Sequence, residues 1–321
     1  MARSTVSPVA TSGPPDDSGP ERSLALHILR SLRPAQWSKN LLVFAGLLFG
    51  AADRRSGLHL VDAVAVLAAI SAFAVFCVMS GVVYLINDLA DRESDRQHPL
   101  KAQRPIASGA LPVPIAAWSA LTLGAGGLAA AYAIGPAFAA VAVAYLVLQI
   151  LYSLQLKHIV IIDVLTLAVG FVLRAVGGAV AVHVEISQWL LVCTILLALF
   201  IALAKRRHEL VLLAGDAATH RPILGEYSAY LLDQMIGVVT ASTLISYVFY
   251  SISPETQAKF GTAWLGLTIP FPLYGIFRYL YLVHQREGGG SPADLLLTDR
   301  PLLACVALWA LTVAVIIYRP V

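Results

Sequence analysis

Apolar residues fall in runs of about 20 along most of this chain, with short polar segments between them. A helix of that length crosses a hydrocarbon layer about 30 Å thick. Segments of about ten residues with alternating polarity, which are typical of transmembrane barrels, do not occur. We therefore predict an all-α polytopic membrane protein. Its nine predicted spans are 36–53, 60–87, 111–133, 136–155, 159–182, 187–205, 232–252, 262–283 and 301–318.

The composition agrees with a membrane protein, because 58% of the 321 residues are hydrophobic and 13% are charged. Soluble domains carry roughly a quarter charged residues. Cytosolic loops of membrane proteins are enriched in Lys and Arg, and most of the 22 Lys and Arg lie on one predicted side. We predict a plasma-membrane protein with a cytosolic N-terminus and an outer C-terminus. We expect the chemistry at the cytosolic face, where the longer loops 88–110, 206–231 and 284–300 lie.

The polarity pattern divides the chain into three regions. Residues 1–22 are rich in Pro, Ser, Gly and Asp, which predicts a disordered cytoplasmic tail. Residues 23–34 predict an amphipathic helix in the membrane interface, with a polar face that carries Arg30 and Arg33. Its apolar stripe consists of Leu24, Ala25, Ile28, Leu29 and Leu32. Residues 35–321 form the predicted nine-helix transmembrane catalytic domain.

An acidic segment, NDLADRESD, follows the second predicted span. Asn87, Asp91 and Asp95 are spaced four residues apart, so their side chains share one face of a continuous α-helix. Mg²⁺ prefers such oxygen ligands, and it usually keeps water and substrate phosphates as its others. We predict that these residues are catalytic and hold Mg²⁺ with a diphosphate. The alternative is a solvated helix end in which Asp88 pairs with Arg92.

Basic residues on the same predicted side indicate a site for phosphate groups. Arg grips phosphate oxygens through two N–H groups, whereas Lys supplies a point charge. The alternative is that these cations only follow the positive-inside rule and contact anionic lipid headgroups. Within the set, Glu209 either orients a lysine or serves a second metal ion. The predicted substrate-binding residues are Lys39, Lys101, Arg104, Tyr152, Lys157, Lys205, Arg206 and Glu209.

Two ionisable residues, Asp163 and Arg174, lie inside the fifth predicted span. A charge within a membrane needs a partner and is a functional candidate by default. For Arg174, a structural contact with a carbonyl or an acidic group is an equal alternative. The three cysteines lie apart in apolar runs and lack metal-ligand spacing.

Several segments carry a resemblance to a known family. NDLADRESD resembles the NxxxDxxxD motif of the UbiA-type intramembrane prenyltransferase superfamily, which implies nine helices around a lateral, cytosol-facing cavity and Mg²⁺ for diphosphate binding. The chain is more closely similar, over about residues 30–318, to the decaprenyl-phosphate phosphoribosyltransferases of that superfamily. The segments that carry this closer resemblance are RPAQWSKN, HPLKAQRPIASG, YSLQLKHIVIIDV, GFVLRAVGGA and AKRRHEL.

The resemblance implies roles for individual residues. Asn87, Asp91 and Asp95 would hold Mg²⁺–diphosphate. The residues implied to line the donor and acceptor phosphates are Lys39, Arg104, Tyr152, Lys157, Lys205 and Arg206. The chain departs from the wider superfamily at KRRHEL, where prenyltransferases of aromatic acceptors carry a second Asp-rich motif. Three cations and one acid at this position favour a substrate with an additional phosphate.

The implied reaction moves 5-phosphoribose from phosphoribosyl pyrophosphate to a polyprenyl (decaprenyl) phosphate, in a pathway to cell-wall arabinan. The nearest alternative is transfer of a prenyl group from a prenyl diphosphate to an aromatic or other acceptor. A transporter is disfavoured, because the charges gather at one face and not at mid-bilayer in matching halves. Membrane lipids are expected partners and nucleic acid is not. The oligomeric state stays open, with a homo-oligomer among the alternatives.

Overall fold

Every regular element in the described part of the chain is helical. The computed structural model describes residues 20–53, 62–98, 101–212, 222–285 and 298–318. The α-helices are α1 Pro20–Ser31, α2 Ala45–Ala51, α3 Ala63–Ala90, α4 Arg92–Gln97, α5 Pro105–Ser108, α6 Val113–Ile134, α7 Pro136–Leu154, α8 Ile162–Ala181, α9 Gln188–Leu212, α10 Ala229–Ile252, α11 Pro254–Phe260, α12 Pro270–Gln285 and α13 Arg300–Tyr318. The 3₁₀ helices are Pro34–Phe44, Lys101–Gln103, Leu156–His158, Pro222–Glu226 and Trp264–Thr268.

The long apolar helices make this a multi-pass membrane protein. Among the described residues, six helices are long and apolar enough to cross a bilayer, namely α3, α6, α7, α8, α10 and α13. A seventh span results if Pro254–Phe260 and Trp264–Val283, which meet at 101°, are taken as one broken span. The predicted count of nine is therefore not confirmed. The first predicted span, 36–53, is the 3₁₀ helix Pro34–Phe44 followed by the seven residues of α2.

Helices α3 and α8 form the centre of the bundle, because more than half of the apolar stretch of each helix is buried. Helices α6 and α13 are mostly exposed. Phe76 of α3 packs edge-on against Phe138 and Tyr145 of α7. On the other side, a second cluster joins Phe200 and Leu203 of α9 to neighbouring helices. The exposed apolar side chains of the outer helices are available to face lipid.

Glycines bring the first segment close to α8. A Cβ atom built on Gly178 would lie 1.8 Å from the carbonyl oxygen of Val43, and one on Gly46 would lie 2.5 Å from the backbone nitrogen of Ala179. Small residues permit this kind of close backbone approach between membrane helices. The contact fixes the 3₁₀ helix, which carries Lys39 and Asn40, against α8.

The N-terminal helix begins earlier than the sequence indicates. It starts at Pro20, a residue favoured at the first helical position, so the helix includes three residues that the sequence assigns to the tail. The remainder of that predicted tail, 1–19, lies outside the described residues. Leu24, Ile28 and Leu32 pack around Leu85, Ile106 and Leu111. About half of Leu29 is exposed, so part of the apolar stripe remains for the predicted membrane interface.

Candidate active site

The acidic segment is not one continuous helix. Helix α3 ends at Ala90, Asp91 has the non-helical angles φ −91° and ψ 6°, and α4 begins at Arg92. The amide N–H groups of Asp91 and Asp95 still donate to the carbonyls of Asn87 and Asp91, at 2.9 and 2.8 Å. The hydrogen bonds between residues four apart therefore continue across the break. Asn87, Asp91 and Asp95 still lie on successive turns.

Arg104 joins two buried carboxylates of this segment. Its Nη1 donates to Asp95 Oδ2 at 2.5 Å and to Asp88 Oδ1 at 3.1 Å. Asp88 also accepts from Nη2 of Arg33 at 2.5 Å. The side chains of Asp88 and Asp95 are each only 3% exposed, so these cations offset charges that burial would otherwise disfavour.

Asp88 therefore pairs with Arg33 and Arg104, and not with Arg92 as in the alternative of a solvated helix end. Arg92 lies nearest to Glu93, at 3.5 Å. Lys101 lies at the edge of the cluster, with its Nζ 4.0 Å from Asp95 Oδ1.

Lys157 brings a second part of the chain to the site. Its Nζ donates to both carboxylate oxygens of Asp91, at 2.8 and 3.1 Å. Lys157 lies on the 3₁₀ helix Leu156–His158, which follows α7. The two residues are 66 positions apart in the sequence, so the fold, and not local spacing, brings them together.

The turn after Lys157 is strained and is held by hydrogen bonds. Ile161 has φ 70°, a left-handed conformation that is unfavourable for a β-branched residue. Its amide N–H donates to the hydroxyl oxygen of Tyr227 at 2.7 Å, and the Tyr227 hydroxyl donates to Asp163 Oδ1 at 2.7 Å. Tyr227 thus fixes both the turn and the first residues of α8.

Asp163 and Arg206 form a buried ion pair that links α8 to α9. Arg206 Nε lies 3.2 Å from Asp163 Oδ2, and Nη1 lies 2.9 Å from Glu209 Oε2. The Arg206 side chain is only 4% exposed. The structure therefore places Arg206 as an internal partner of Asp163, whereas the sequence predicts a phosphate ligand. Lys205 is half exposed, and its Nζ lies 3.9 Å from Glu209.

Arg174 lies in a neutral polar cluster near the first segment. It donates to Asn40 Oδ1 at 2.7 Å, to the carbonyl of Gly170 at 2.9 Å and to the Tyr145 hydroxyl at 2.8 Å. Ser80 Oγ also donates to Asn40 Oδ1 at 3.3 Å. Asn40 is completely buried, and the exposed Lys39 precedes it in the chain.

The remaining predicted site residues, Asn87 and Tyr152, lie near the ends of long helices. Asn87 is half-buried in the last turn of α3, and Tyr152 is half-buried in the last turn of α7, five residues before Lys157. Sequence reasoning missed Arg33, Asn40, Asp88 and Tyr227 as members of the polar network. Arg33, Asn40 and Asp88 lie in the segments RPAQWSKN and NDLADRESD, but Tyr227 lies in a segment with no distinguishing pattern.

The described part of the site contains oxygen donors for a metal ion, but these side chains do not form a complete ligand shell. Within the part of the chain that the structure describes, no three His, Cys, Asp or Glu side chains are placed to hold a metal ion. Asn87, Asp91 and Asp95 supply hard oxygen atoms, which suit Mg²⁺ when water and phosphate oxygens complete the shell. Asp91 is accessible, with 30% of its side chain exposed, whereas only 3% of the Asp95 side chain is exposed.

Comparison with known proteins gives consistent matches along the chain. Residues 41–295 match the UbiA prenyltransferase family. The decaprenyl-phosphate phosphoribosyltransferase of Corynebacterium glutamicum is 34% identical, over 93% of this chain and 89% of that protein. The enzyme of the same name from Mycobacterium tuberculosis is also 34% identical, over 92% of this chain and 95% of that protein.

The fold matches solved structures as well. A UbiA homologue from Archaeoglobus fulgidus bound to GPP and Mg²⁺ aligns with a TM-score of 0.65 and 19% identity. The alignment covers 91% of this chain and 97% of that one. At this identity the likeness shows the shared fold, and it extends over nearly the whole of both chains.

Proposed function

The chain belongs to the UbiA prenyltransferase family, and we propose that it transfers 5-phosphoribose from phosphoribosyl pyrophosphate to a decaprenyl (polyprenyl) phosphate. The observation that carries the proposal is the 34% identity, over more than nine-tenths of the chain, to curated decaprenyl-phosphate phosphoribosyltransferases. The network at the inner end of α9 agrees with it, because Glu209 is the only acid of KRRHEL and is already paired with Arg206.

Asn87, Asp91 and Asp95 are the residues that would hold Mg²⁺ and the diphosphate of the donor. A structure of a UbiA homologue with Mg²⁺ supports a divalent ion in this fold. Bound there, the ion would neutralise charge that builds on the departing pyrophosphate. Arg104 and Lys157 already lie at these carboxylates, and their N–H groups turn to the diphosphate oxygens when the donor binds.

The reaction exchanges one C–O bond for another. The bond between ribose C1 and the diphosphate oxygen breaks through an oxocarbenium-like state, and its electron pair leaves with pyrophosphate. A phosphate oxygen of the lipid then forms the new bond to C1. The second pKa of a phosphate monoester is about 6, so the nucleophile is ionised at pH 7 and needs no general base.

We place this chemistry at the cytosolic face of the plasma membrane. Lys101, Arg104 and Lys157 gather at one end of the bundle, which follows the positive-inside rule if that end is cytosolic. This orientation puts the N-terminus inside and, with nine spans around a lateral cavity, the C-terminus outside. The lipid tail can then stay in the bilayer while the charged donor arrives from the cytosol. The resemblance to this family also suggests a role in supplying the arabinose donor for the cell wall.

Pyrophosphate release from purified protein tests the proposal. We expect release from phosphoribosyl pyrophosphate only when polyprenyl phosphate and Mg²⁺ are both present. The family as a whole makes prenyl transfer the alternative. Consumption of a prenyl diphosphate with an aromatic acceptor, without turnover of phosphoribosyl pyrophosphate, would establish that alternative and contradict ours.

A further inference from the structure

Asp88 is a buried carboxylate that two arginines contact at the same oxygen atom. Its side chain is only 3% exposed, and its Oδ1 accepts from Arg33 Nη2 at 2.5 Å and from Arg104 Nη1 at 3.1 Å. The same Nη1 of Arg104 donates to Asp95 Oδ2 at 2.5 Å. Arg33 and Arg104 therefore share the charge of Asp88, and Arg104 also contacts a predicted metal ligand.

Arg33 is held in place by more than its contact with Asp88. Its guanidinium carbon lies 4.6 Å from the centre of the Tyr84 ring, within the range of a cation–π contact. Tyr84 and Asp88 are four residues apart on α3, so they share one face of that helix. The backbone of Arg33 is left-handed, with φ 52° and ψ 64°, a conformation that persists in a residue with a side chain only where surrounding contacts determine it.

The place of Arg33 in the chain explains this geometry. It lies between the end of α1 at Ser31 and the 3₁₀ helix that begins at Pro34. Its carbonyl accepts from the amide N–H of Gln36 at 2.9 Å. The turn between the two helices therefore carries a cation to the acidic segment at the end of α3.

The shared contact at Asp88 bears on donor binding. In the proposed function, Arg104 moves from the two carboxylates to the oxygens of the diphosphate, while Asp95 takes the metal ion. Asp88 then keeps its negative charge in a buried position, where a charge without a partner is strongly unfavourable. Arg33 is the cation that stays at Asp88 after Arg104 has moved.

The same step is harder without Arg33. Among the described residues, Asp88 would then keep Arg104 as its basic partner. Transfer of Arg104 to the diphosphate would leave Asp88 buried without a cation, so attraction to Asp88 would hold Arg104 in its resting position. Diphosphate binding would weaken even though Arg33 itself does not contact the phosphates.

We propose that Arg33 is a positioning residue, which balances the charge of Asp88 and so frees Arg104 to bind the diphosphate of the donor. The proposal rests on the function above, in which a diphosphate binds beside Asp91 and Asp95. Arg33 keeps its own partners throughout the cycle. Its effect on the substrate passes entirely through Asp88 and Arg104.

A cycle of single and double variants tests this role. The protein is placed in phosphatidylcholine nanodiscs, and calorimetry measures the binding of inorganic pyrophosphate in the presence of Mg²⁺. We expect Arg33→Gln to weaken this binding about tenfold or more, a size within the range of coupling between contacting charged residues. The double variant Arg33→Gln with Asp88→Asn should bind within about threefold of the unchanged protein, because Asp88 no longer holds Arg104.

Two further variants separate the charge of Arg33 from its packing. Arg33→Lys keeps the charge and should recover most of the affinity that Arg33→Gln loses. Arg30→Gln removes an exposed cation from α1 and should leave the affinity unchanged. Thermal unfolding is recorded for each variant, because a purely structural role would lower the unfolding temperature without changing the pyrophosphate affinity of the folded protein.

The proposal is overturned if the unchanged protein binds no pyrophosphate, or if Arg33→Gln binds it as tightly as the unchanged protein does. It is also overturned if the double variant binds as weakly as Arg33→Gln, since Arg33 would then contact the diphosphate itself. If Arg33→Gln does not fold, the double variant decides alone, by tight or weak binding. A failure of phosphoribose transfer is seen separately, as absence of pyrophosphate release from phosphoribosyl pyrophosphate.

Discussion

Arg104 lies between Asp88 and Asp95 and donates to both from one nitrogen atom, at 3.1 and 2.5 Å. This contact holds two buried carboxylates together that would otherwise repel each other. Lys157 has the same relation to Asp91. The residues suited to bind phosphate are therefore paired with the residues suited to bind a metal ion. In the proposed function, we expect donor binding to replace these internal ion pairs with contacts to Mg²⁺ and diphosphate.

Arg104→Gln should weaken donor binding. The substitution removes the cation that we propose contacts the diphosphate, and it leaves Asp88 with Arg33 alone. We expect the apparent KM for phosphoribosyl pyrophosphate to rise about tenfold or more, the effect of a lost charge-assisted contact. Steady-state release of pyrophosphate measures this. An unchanged KM would make Arg104 a structural residue.

Asp91→Asn and Asp95→Asn should each reduce turnover at least about 100-fold, because each removes the charge of a predicted metal ligand. The matched control is Glu93→Gln. Glu93 lies in the same segment, but its side chain is 74% exposed and pairs only at the surface. We expect near-normal turnover in this control and intact folding of all three variants by size-exclusion chromatography. Near-normal turnover in both aspartate variants would refute the metal assignment.

Metal binding should depend on the substrate. Lys157 occupies both oxygens of Asp91, so Mg²⁺ alone should bind weakly and pyrophosphate should strengthen its binding. Lys157→Gln removes the competing cation and should tighten binding of the metal alone by about threefold to tenfold, with Arg30→Gln as the control. Calorimetry on ligand-free protein measures this directly. Weaker metal binding in Lys157→Gln would contradict competition between Lys157 and Mg²⁺ for Asp91. In a separate test, chelation of the metal with EDTA should abolish turnover reversibly.

Tyr227→Phe should destabilise the turn that carries Lys157. The lost hydroxyl leaves the Ile161 amide N–H and one oxygen of Asp163 without their present partner, at a cost of about 1–3 kcal/mol. We expect a lower unfolding temperature in detergent and a reduced kcat. Tyr230→Phe is the control, because Tyr230 is 74% exposed. Equal stability of the two variants would show that the Tyr227 bridge contributes little.

Gly178→Ala should disturb the packing of the first segment. The added methyl group would meet the carbonyl oxygen of Val43 at 1.8 Å, and overpacking of this kind costs about 1–3 kcal/mol or more. Gly237→Ala is the matched control, since nothing lies within 4 Å of the added carbon. Thermal unfolding of both variants in detergent checks this, and similar unfolding temperatures would contradict the close contact.

The sequence predicts the helical class well, because the length of an apolar run is a local feature. The contact of Lys157 with Asp91 confirms that two sequence segments share one end of the bundle. Phosphate contacts of the predicted residues stay predictions. The structure differs from the sequence-based prediction where the partner of a charged residue lies far away in the chain. Nothing near Arg206 in the sequence indicates that Asp163, 43 residues away, pairs with it.

The break in the first span shows the same limit for backbone conformation. Apolarity predicts a helix over 36–53, but it does not distinguish an α-helix from a 3₁₀ helix. The contact of Val43 with Gly178 depends on residues in a distant helix, and a periodic pattern does not contain that information. Similarly, the regular spacing of Asn87, Asp91 and Asp95 does not reveal the turn at Asp91, because the hydrogen bonds between residues four apart continue across it.

The pairing of Arg104 and Lys157 with acidic side chains also bears on how a catalytic cycle ends. Once ribose has been transferred, pyrophosphate remains as a multivalent by-product that strongly basic pockets tend to retain. Here Asp88, Asp91 and Asp95 compete for the same two cations from within the protein. In the proposed function we expect these carboxylates to compete with pyrophosphate for the two cations and so to favour its release when the resting ion pairs form again.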